Sequence, residues 1–179
     1  MMDNKREEIK KRVWRMFDEA QIAITDAEKE KMEIAEYGLN CWASIGLQII
    51  VYVNTERCCA KELVLFPQQT CPEHRHPPMP GNPGKEETFR CRYGDVYLYV
   101  EGEPTAQPKG VAPKGREQYF TVWHEITLGP GDQYTLMPDT LHWFQAGPRG
   151  AIISEFSTQS HDETDIFTDP EIIRVPENT

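Results

Sequence analysis

Two histidines one residue apart, His74 and His76, sit in the stretch CPEHRHPPMPGNPGKEETFRCRYG, which runs on to a pair of glutamates, Glu86 and Glu87. In an extended segment residues i and i+2 project to the same side, so both imidazoles can face one ion. Alone, the pair is weak, because two loop histidines are more often unconnected surface residues. The case strengthens downstream, where Glu87 stands seven residues before Gly94 and His142 follows Gly131 by eleven. Three imidazoles and one carboxylate suit Mn, Fe, Zn, Co or Ni, and leave open positions on an octahedral ion. Open positions permit catalysis. Glu86 competes for the carboxylate role, but on a strand the two glutamates face opposite ways, and the Gly94 spacing favours Glu87.

Further ionisable groups cluster around these ligands in the chain. Lys85, two residues before Glu87, shares its side of an extended segment, and Lys61 interrupts the apolar run leading into LVLFP. A lysine aimed into a barrel mouth is costly unless paired or functional. The plainer alternative is a rim lysine with its ammonium group in water. Glu155 breaks the apolar stretch AIISEFS, where a buried acid needs a partner and suits proton shuttling. Asp165 falls in an acidic segment, since residues 155 to 177 hold seven Asp or Glu against one basic residue, Arg174. Such a segment is ordinarily solvated surface; the alternative is a flap over a site. His124 and His161 read as non-ligands, with His161 able to touch a substrate from the acidic arm. Trp123, Trp143, Phe144 and Tyr93 read first as packing.

The elements that must position these groups follow from periodicity. Ile9, Val13, Met16, Phe17 and Ala20 recur at the helical interval and predict an amphipathic helix over 4–20. Thr25 and Glu28 have the capping-box form, predicting a second helix to about Ala35 with Gly38 beyond it. From Gly46 the texture is strand-like: GLQIIVYV, KELVLFP, TFRCR, DVYLYVEGE, QYFTVWHEITL, QYTLMP and AIISEFS alternate between turn residues. Seven or eight strands of this kind predict a mostly β protein, an antiparallel sandwich or barrel behind N-terminal helices. The 179 residues read as one domain, with a helical arm over 1–38, a barrel over 40–156 and an acidic arm over 157–179.

Composition narrows the partners. A formal charge of −10 disfavours nucleic acid, anionic membranes and polyanionic substrates. There is no apolar run of membrane-spanning length, and the start MMDNKREEIKK lacks the hydrophobic core of a signal peptide, so a cytoplasmic protein is expected. Five cysteines, two of them adjacent at Cys58 and Cys59, read as reduced structural thiols.

Two blocks, HRH through Glu87 and Gly94 and then GDQYTLMPDTLH, resemble the paired metal-binding motifs of the cupin superfamily. The spacing from His76 to Glu87 is longer than in the common motif, and Ala146 stands where Asn is often found. The longer string KELVLFPQQTCPEHRHPP…GKEETFRCRYGDVYLYVEGE, with MPDTLHWFQAG and ISEFSTQSHDETDIF, resembles the cupin-type D-lyxose isomerases over roughly residues 40 to 170. That resemblance implies a cupin jelly-roll barrel with His74, His76, Glu87 and His142 around Mn(II), with Co, Fe, Ni or Zn as alternatives. It implies exchange of D-lyxose with D-xylulose and of D-mannose with D-fructose, the sugar's O1 and O2 chelated by the metal. Under it Glu155 serves as acid/base, Asp165 binds a sugar hydroxyl, and Lys61 and Lys85 touch substrate, stabilising an oxyanion or relaying a proton. Cupins often pair through outer strands or exchanged arms, which makes a homodimer the expectation. Competing readings are an Fe(II)-dependent cupin dioxygenase and a non-enzymatic sugar-binding cupin. A cupin phosphoglucose isomerase would need a cationic phosphate cradle, which the acidity disfavours.

Overall fold

The computed structural model describes residues 2–174. Two helices, α1 (Met2–Glu19) and α2 (Asp26–Glu30), precede nine strands: β1 (Glu33–Ala35), β2 (Leu47–Asn54), β3 (Cys59–Leu65), β4 (Thr70–Arg75), β5 (Glu87–Val100), β6 (His124–Leu128), β7 (Gln133–Leu136), β8 (His142–Ser157) and β9 (Ile166–Phe167). The strands pair antiparallel, as alternating apolar and polar residues with short turns dictate.

Strands β5 and β8 form the spine, with Glu87 opposite Ser157 at one end and Val100 opposite His142 at the other. A straight pair of this length would hold Glu87 and His142 roughly 40 Å apart. Both strands instead bend at mid-length, where the register jumps between Gly94 and Val96 opposite Ala151 and Ala146. The bend makes two layers. One runs β1, β2, β3, the second half of β8, the first half of β5, then β7; the other runs β9, β4, the first half of β8, the second half of β5, then β6. Gly94 makes this corner possible: its φ is +72°, and a Cβ there would lie 1.9 Å from the Gly150 carbonyl oxygen. Only glycine lets the two backbones approach so closely.

Between the layers lies a core that includes Leu63, Leu65, Phe89, Cys91, Leu98, Phe144 and Ile153. On the outer side of the first layer, α1 buries Ile9, Val13, Met16 and Phe17 against Ile50, Val64 and Ile152. The spacing of these four residues sets the helix face, as expected from the sequence.

The structure corrects several sequence expectations. The capping box at Thr25 is present, but α2 ends at Glu30, and Glu33–Ala35 is a strand, not the end of a helix. There Ile34 and Ala35 pair with Gln48 and Leu47, and burying them in a sheet outweighs continuing a short helix. TFRCR and DVYLYVEGE are one bent strand, β5, and AIISEFS is the far half of β8. Within QYFTVWHEITL only His124–Leu128 is strand; Glu117–Tyr119 is a single 3₁₀ turn. The buried Glu73 carboxylate accepts from Thr121 N and Val122 N and so takes up donors that a ladder would use. All five cysteines are free thiols, as expected.

Candidate active site

The bend brings four side chains from both layers to one point. His74 on β4 lies directly opposite His142 on β8, His76 follows just past the end of β4, and Glu87 opens β5 in the facing layer. The ligand nitrogens of the three histidines lie within 4.8 Å of one another. All four residues are buried. Glu86, by contrast, is exposed, so of the adjacent glutamates it is Glu87 that faces inward.

Hydrogen bonds fix the tautomers. His74 Nδ1 donates to the Pro72 carbonyl at 2.8 Å and His142 Nδ1 to the Thr140 carbonyl at 2.9 Å, while His76 Nδ1 lies 2.5 Å from Asp165 Oδ1. Each ring therefore commits Nδ1 to an oxygen and turns Nε2 to the common centre. His142 Nε2 and Glu87 Oε1 are 3.2 Å apart, yet both are acceptors, and this buried nitrogen has no hydrogen-bond partner. Burial first, then the neighbouring His142 and His76, hold the His74 imidazole well below its ordinary range, so it is neutral. Burial opposes charge on His76, but Glu87 and Asp165 outweigh it and lift it to about 9. Three Nε2 atoms converging on a carboxylate, His76 Nε2 at 3.2 Å from Glu87 Oε1 and the buried His142 Nε2 without a partner, are what a divalent cation satisfies, the ion taking the place of the proton on His76. The donor set fits one.

Beside this centre runs a chain of alternating charges. Lys85 Nζ lies 2.7 Å from Glu87 Oε2 and 2.6 Å from Glu155 Oε1, and Ser157 Oγ donates to the same Glu155 oxygen at 3.1 Å. Lys61 is the register partner of Glu155 across β3 and β8, and its Nζ donates to Asp162 Oδ1 and Oδ2 at 2.9 Å and to Ser160 Oγ at 2.8 Å. Burial opposes charge on Lys85, but Glu155 and Glu87 hold it well above its usual range; burial likewise opposes charge on Lys61, which Glu155 and Asp162 outweigh. Both remain ammonium groups. Asp162 is pushed up by burial, yet Lys61 and Lys85 overcome this and hold it below the ordinary carboxylate range.

Seven of the residues singled out from sequence thus meet in one narrow cleft, lined by His74, His76, Glu87, Lys61, Lys85, Glu155 and Asp165. Asp165 lies against His76, orienting that ring, with burial raising its carboxyl above its usual value. His161 lines a smaller recess at the mouth, while His124 is exposed and bonds the Glu103 carbonyl. Trp143 stacks on Tyr99 at 3.9 Å in an aromatic cluster with Trp123, and Phe144 reaches the cleft. Tyr93 bonds Glu19 of α1.

Sequence reasoning passed over Tyr37, Ser160, Asp162, Phe167 and Arg174. Four of these five lie on the segment after β8, which folds back over the cleft. Arg174 joins Asp162 to Glu33, and Phe167 stacks on His74 at 5.3 Å. The one available signal was Arg174, a single cation in an acidic run.

An antiparallel jelly roll closing over three histidine nitrogens and a carboxylate defines a cupin. The chain belongs to the D-lyxose isomerase family, whose profile matches residues 8–178. It is 65% identical to the D-lyxose/D-mannose isomerase of Thermosediminibacter oceani, covering 97% of this chain and 96% of that one. It is 60% identical to the D-lyxose ketol-isomerase of Cohnella laeviribosi, over 94% of this chain and 93% of the relative. Among solved structures, the L-ribose isomerase of Cellulomonas parahominis superposes with a TM-score of 0.78 at 17% identity, covering 93% of this chain and 92% of that one. The L-ribose isomerase of Acinetobacter sp. DL28, solved with L-ribose, gives 0.77 at 18%, with the same coverage. At such identity these two attest to the fold alone.

Proposed function

We propose that this enzyme interconverts D-lyxose with D-xylulose and D-mannose with D-fructose, with Mn(II) held by His74, His76, Glu87 and His142. The observation that carries the reading is the Glu155 carboxylate, 2.6 Å from the Lys85 ammonium, beside three inward-facing histidine nitrogens. Family membership and the relatives' names support it.

An aldose becomes a ketose when one proton moves between C2 and C1 and another between the two oxygens, and negative charge develops on oxygen on the way. A divalent ion supplies Lewis acidity, polarising the carbonyl and acidifying the adjacent hydroxyl. Glu155 accepts the carbon-bound proton and returns it to the neighbouring carbon; Lys85 and Ser157 occupy its Oε1, leaving Oε2 to take that proton. Lys85, being a firm ammonium, acts as a donor that stabilises the oxyanion, not as a base. Lys61 holds Asp162 in place and keeps positive potential behind Glu155. Asp165 fixes the His76 ring, and the substrate hydroxyl contact expected of it would use its remaining oxygen. A dioxygenase has little use for two lysines and two acids in its cleft, so this set favours the isomerase.

We further propose a cytoplasmic homodimer. Five free thiols support the compartment. Tyr52, Val53 and Phe156, all exposed, support a dimer face. The test of function is to strip metal with a chelator, restore Mn, Co, Fe, Ni or Zn separately, and assay ketose from D-lyxose and D-mannose. Turnover restored by Mn(II) is expected. Silence on both sugars with oxygen uptake on another substrate would favour the dioxygenase, and sedimentation as a monomer would remove the dimer.

A further inference from the structure

Tyr37 occupies a backbone position that its residue type resists. It follows β1 in a turn closed by Leu39 N donating to the Glu36 carbonyl, and both central residues have positive φ, 54° at Tyr37 and 72° at Gly38. That is the geometry of a turn in which Asn or Asp before Gly is favoured, because a bulky side chain in the left-handed region is disfavoured. The strained conformation is locked by Ile173 N, which donates to the Tyr37 carbonyl at 3.0 Å. Strain of this kind persists where the surroundings over-determine it, and it clusters at functional sites.

The side chain held there is buried, and it lines the same cleft as the metal ligands and Glu155. Its ring packs edge-on against Phe167 at 5.6 Å, and Phe167 in turn stacks on His74 at 5.3 Å. The hydroxyl is the anomaly. Among the described residues the polar partner recorded for it is the Cys71 thiol, at 3.4 Å. A thiol is a weak donor and a weak acceptor, and a buried hydroxyl in so poor a bond is costly unless another partner completes it. Burial above all keeps the phenol protonated, and Cys71 beside it stays a thiol, pushed up to about 12.

We infer that Tyr37 is a substrate-binding residue whose hydroxyl bonds a sugar hydroxyl at the end remote from the carbonyl, in preference to the Cys71 thiol. The Phe167 ring stands between Tyr37 and His74, so the phenol serves carbons beyond those that the metal centre handles. The inference rests on the sugar-isomerase reading and deepens it: Tyr37 sets which pentose or hexose chain fits behind a common reacting end.

The experiment compares wild type and Tyr37→Phe, both loaded with Mn(II), on D-lyxose, 4-deoxy-D-lyxose and 5-deoxy-D-lyxose, with metal content and melting temperature measured in parallel. Losing one neutral hydrogen bond made equally in ground and transition states raises KM about 5- to 10-fold and leaves kcat within about two-fold. One deoxy sugar should cost the wild type a similar rise and cost Tyr37→Phe nothing further. Cys71→Ala should leave KM within about two-fold. Equal KM values for wild type and Tyr37→Phe on D-lyxose would overturn the inference, and so would a Tyr37→Phe enzyme that discriminates both deoxy sugars as the wild type does. A wild type silent on D-lyxose would instead overturn the isomerase reading beneath it.

Discussion

At the scale of single residues, the proposed proton-handling step would depend on one carboxylate, Glu155. Glu155 is buried on β8, with Lys85 at 2.6 Å and Ser157 at 3.1 Å on its Oε1. Glu155→Gln preserves the side chain's shape and its ability to accept from Lys85, but removes the basic oxygen. The expected result is a fall in kcat of about 10²- to 10⁴-fold on D-lyxose, with metal content unchanged. Full turnover with metal retained would remove Glu155 from the acid/base role. This residue was visible in the sequence because an acid interrupting AIISEFS contradicts its surroundings, and His74, His76 and Glu87 were visible through their spacing. Tyr37 gave no such sign. An aromatic in an apolar neighbourhood looks like packing, and only its positive φ and its thiol partner set it apart.

At the scale of elements, the segment after β8 closes the cleft through ion pairs. Asp162 receives two bonds from Lys61 and one from Arg174, which also reaches Glu33 at the start of β1. The same segment is fastened further on, where Thr168 Oγ1 donates to Glu73 and Arg116 pairs with Asp169 and Glu171. Burial raises the Asp162 carboxyl, but Lys61 and Lys85 more than offset this, so its folded pKa lies below the ordinary value of 3.8. A depressed carboxylate stabilises the fold fully above the unfolded value, and that contribution is lost as pH falls from about 4 toward the folded value. Asp162→Asn should therefore melt below the wild type at pH 7, and the gap should narrow as the pH is lowered from about 4 to 2. A gap that stays constant across melting curves from pH 7 to pH 2 would show that Asp162 does not act through its charge. Nothing local in HDETDIF distinguishes this closing segment from solvated surface; its partners Glu73, Lys61 and Glu33 lie 95, 101 and 141 residues before the groups they bind. The strands, whose alternation is local, were legible. Their bend was not, because it depends on Gly94 meeting Gly150 across the β5 and β8 pair.

At the scale of the whole molecule, the proposed metal joins the two layers that the bend only brings near each other. His74 and His142 belong to one layer and Glu87 opens the other, so the ion would cross-link segments that must separate on unfolding. The buried His142 Nε2 lacks a partner that the ion would supply, and a site assembled only in the folded chain converts binding free energy into stability. Free metal at a hundredfold its Kd adds about 2.7 kcal/mol. For a chain of 179 residues this corresponds to a rise of roughly 5–10 °C in Tm. Thermal melts with a chelator and with graded Mn(II) should show a Tm that climbs with metal concentration. His74→Ala, lacking one ligand, should lose most of that climb, whereas Glu155→Gln should keep it, since Glu155 touches Lys85 and not the histidines. If His74→Ala gained as much Tm from Mn(II) as the wild type, the ion would be binding elsewhere. The three nitrogens at the joined strand ends would then need another explanation for standing buried together.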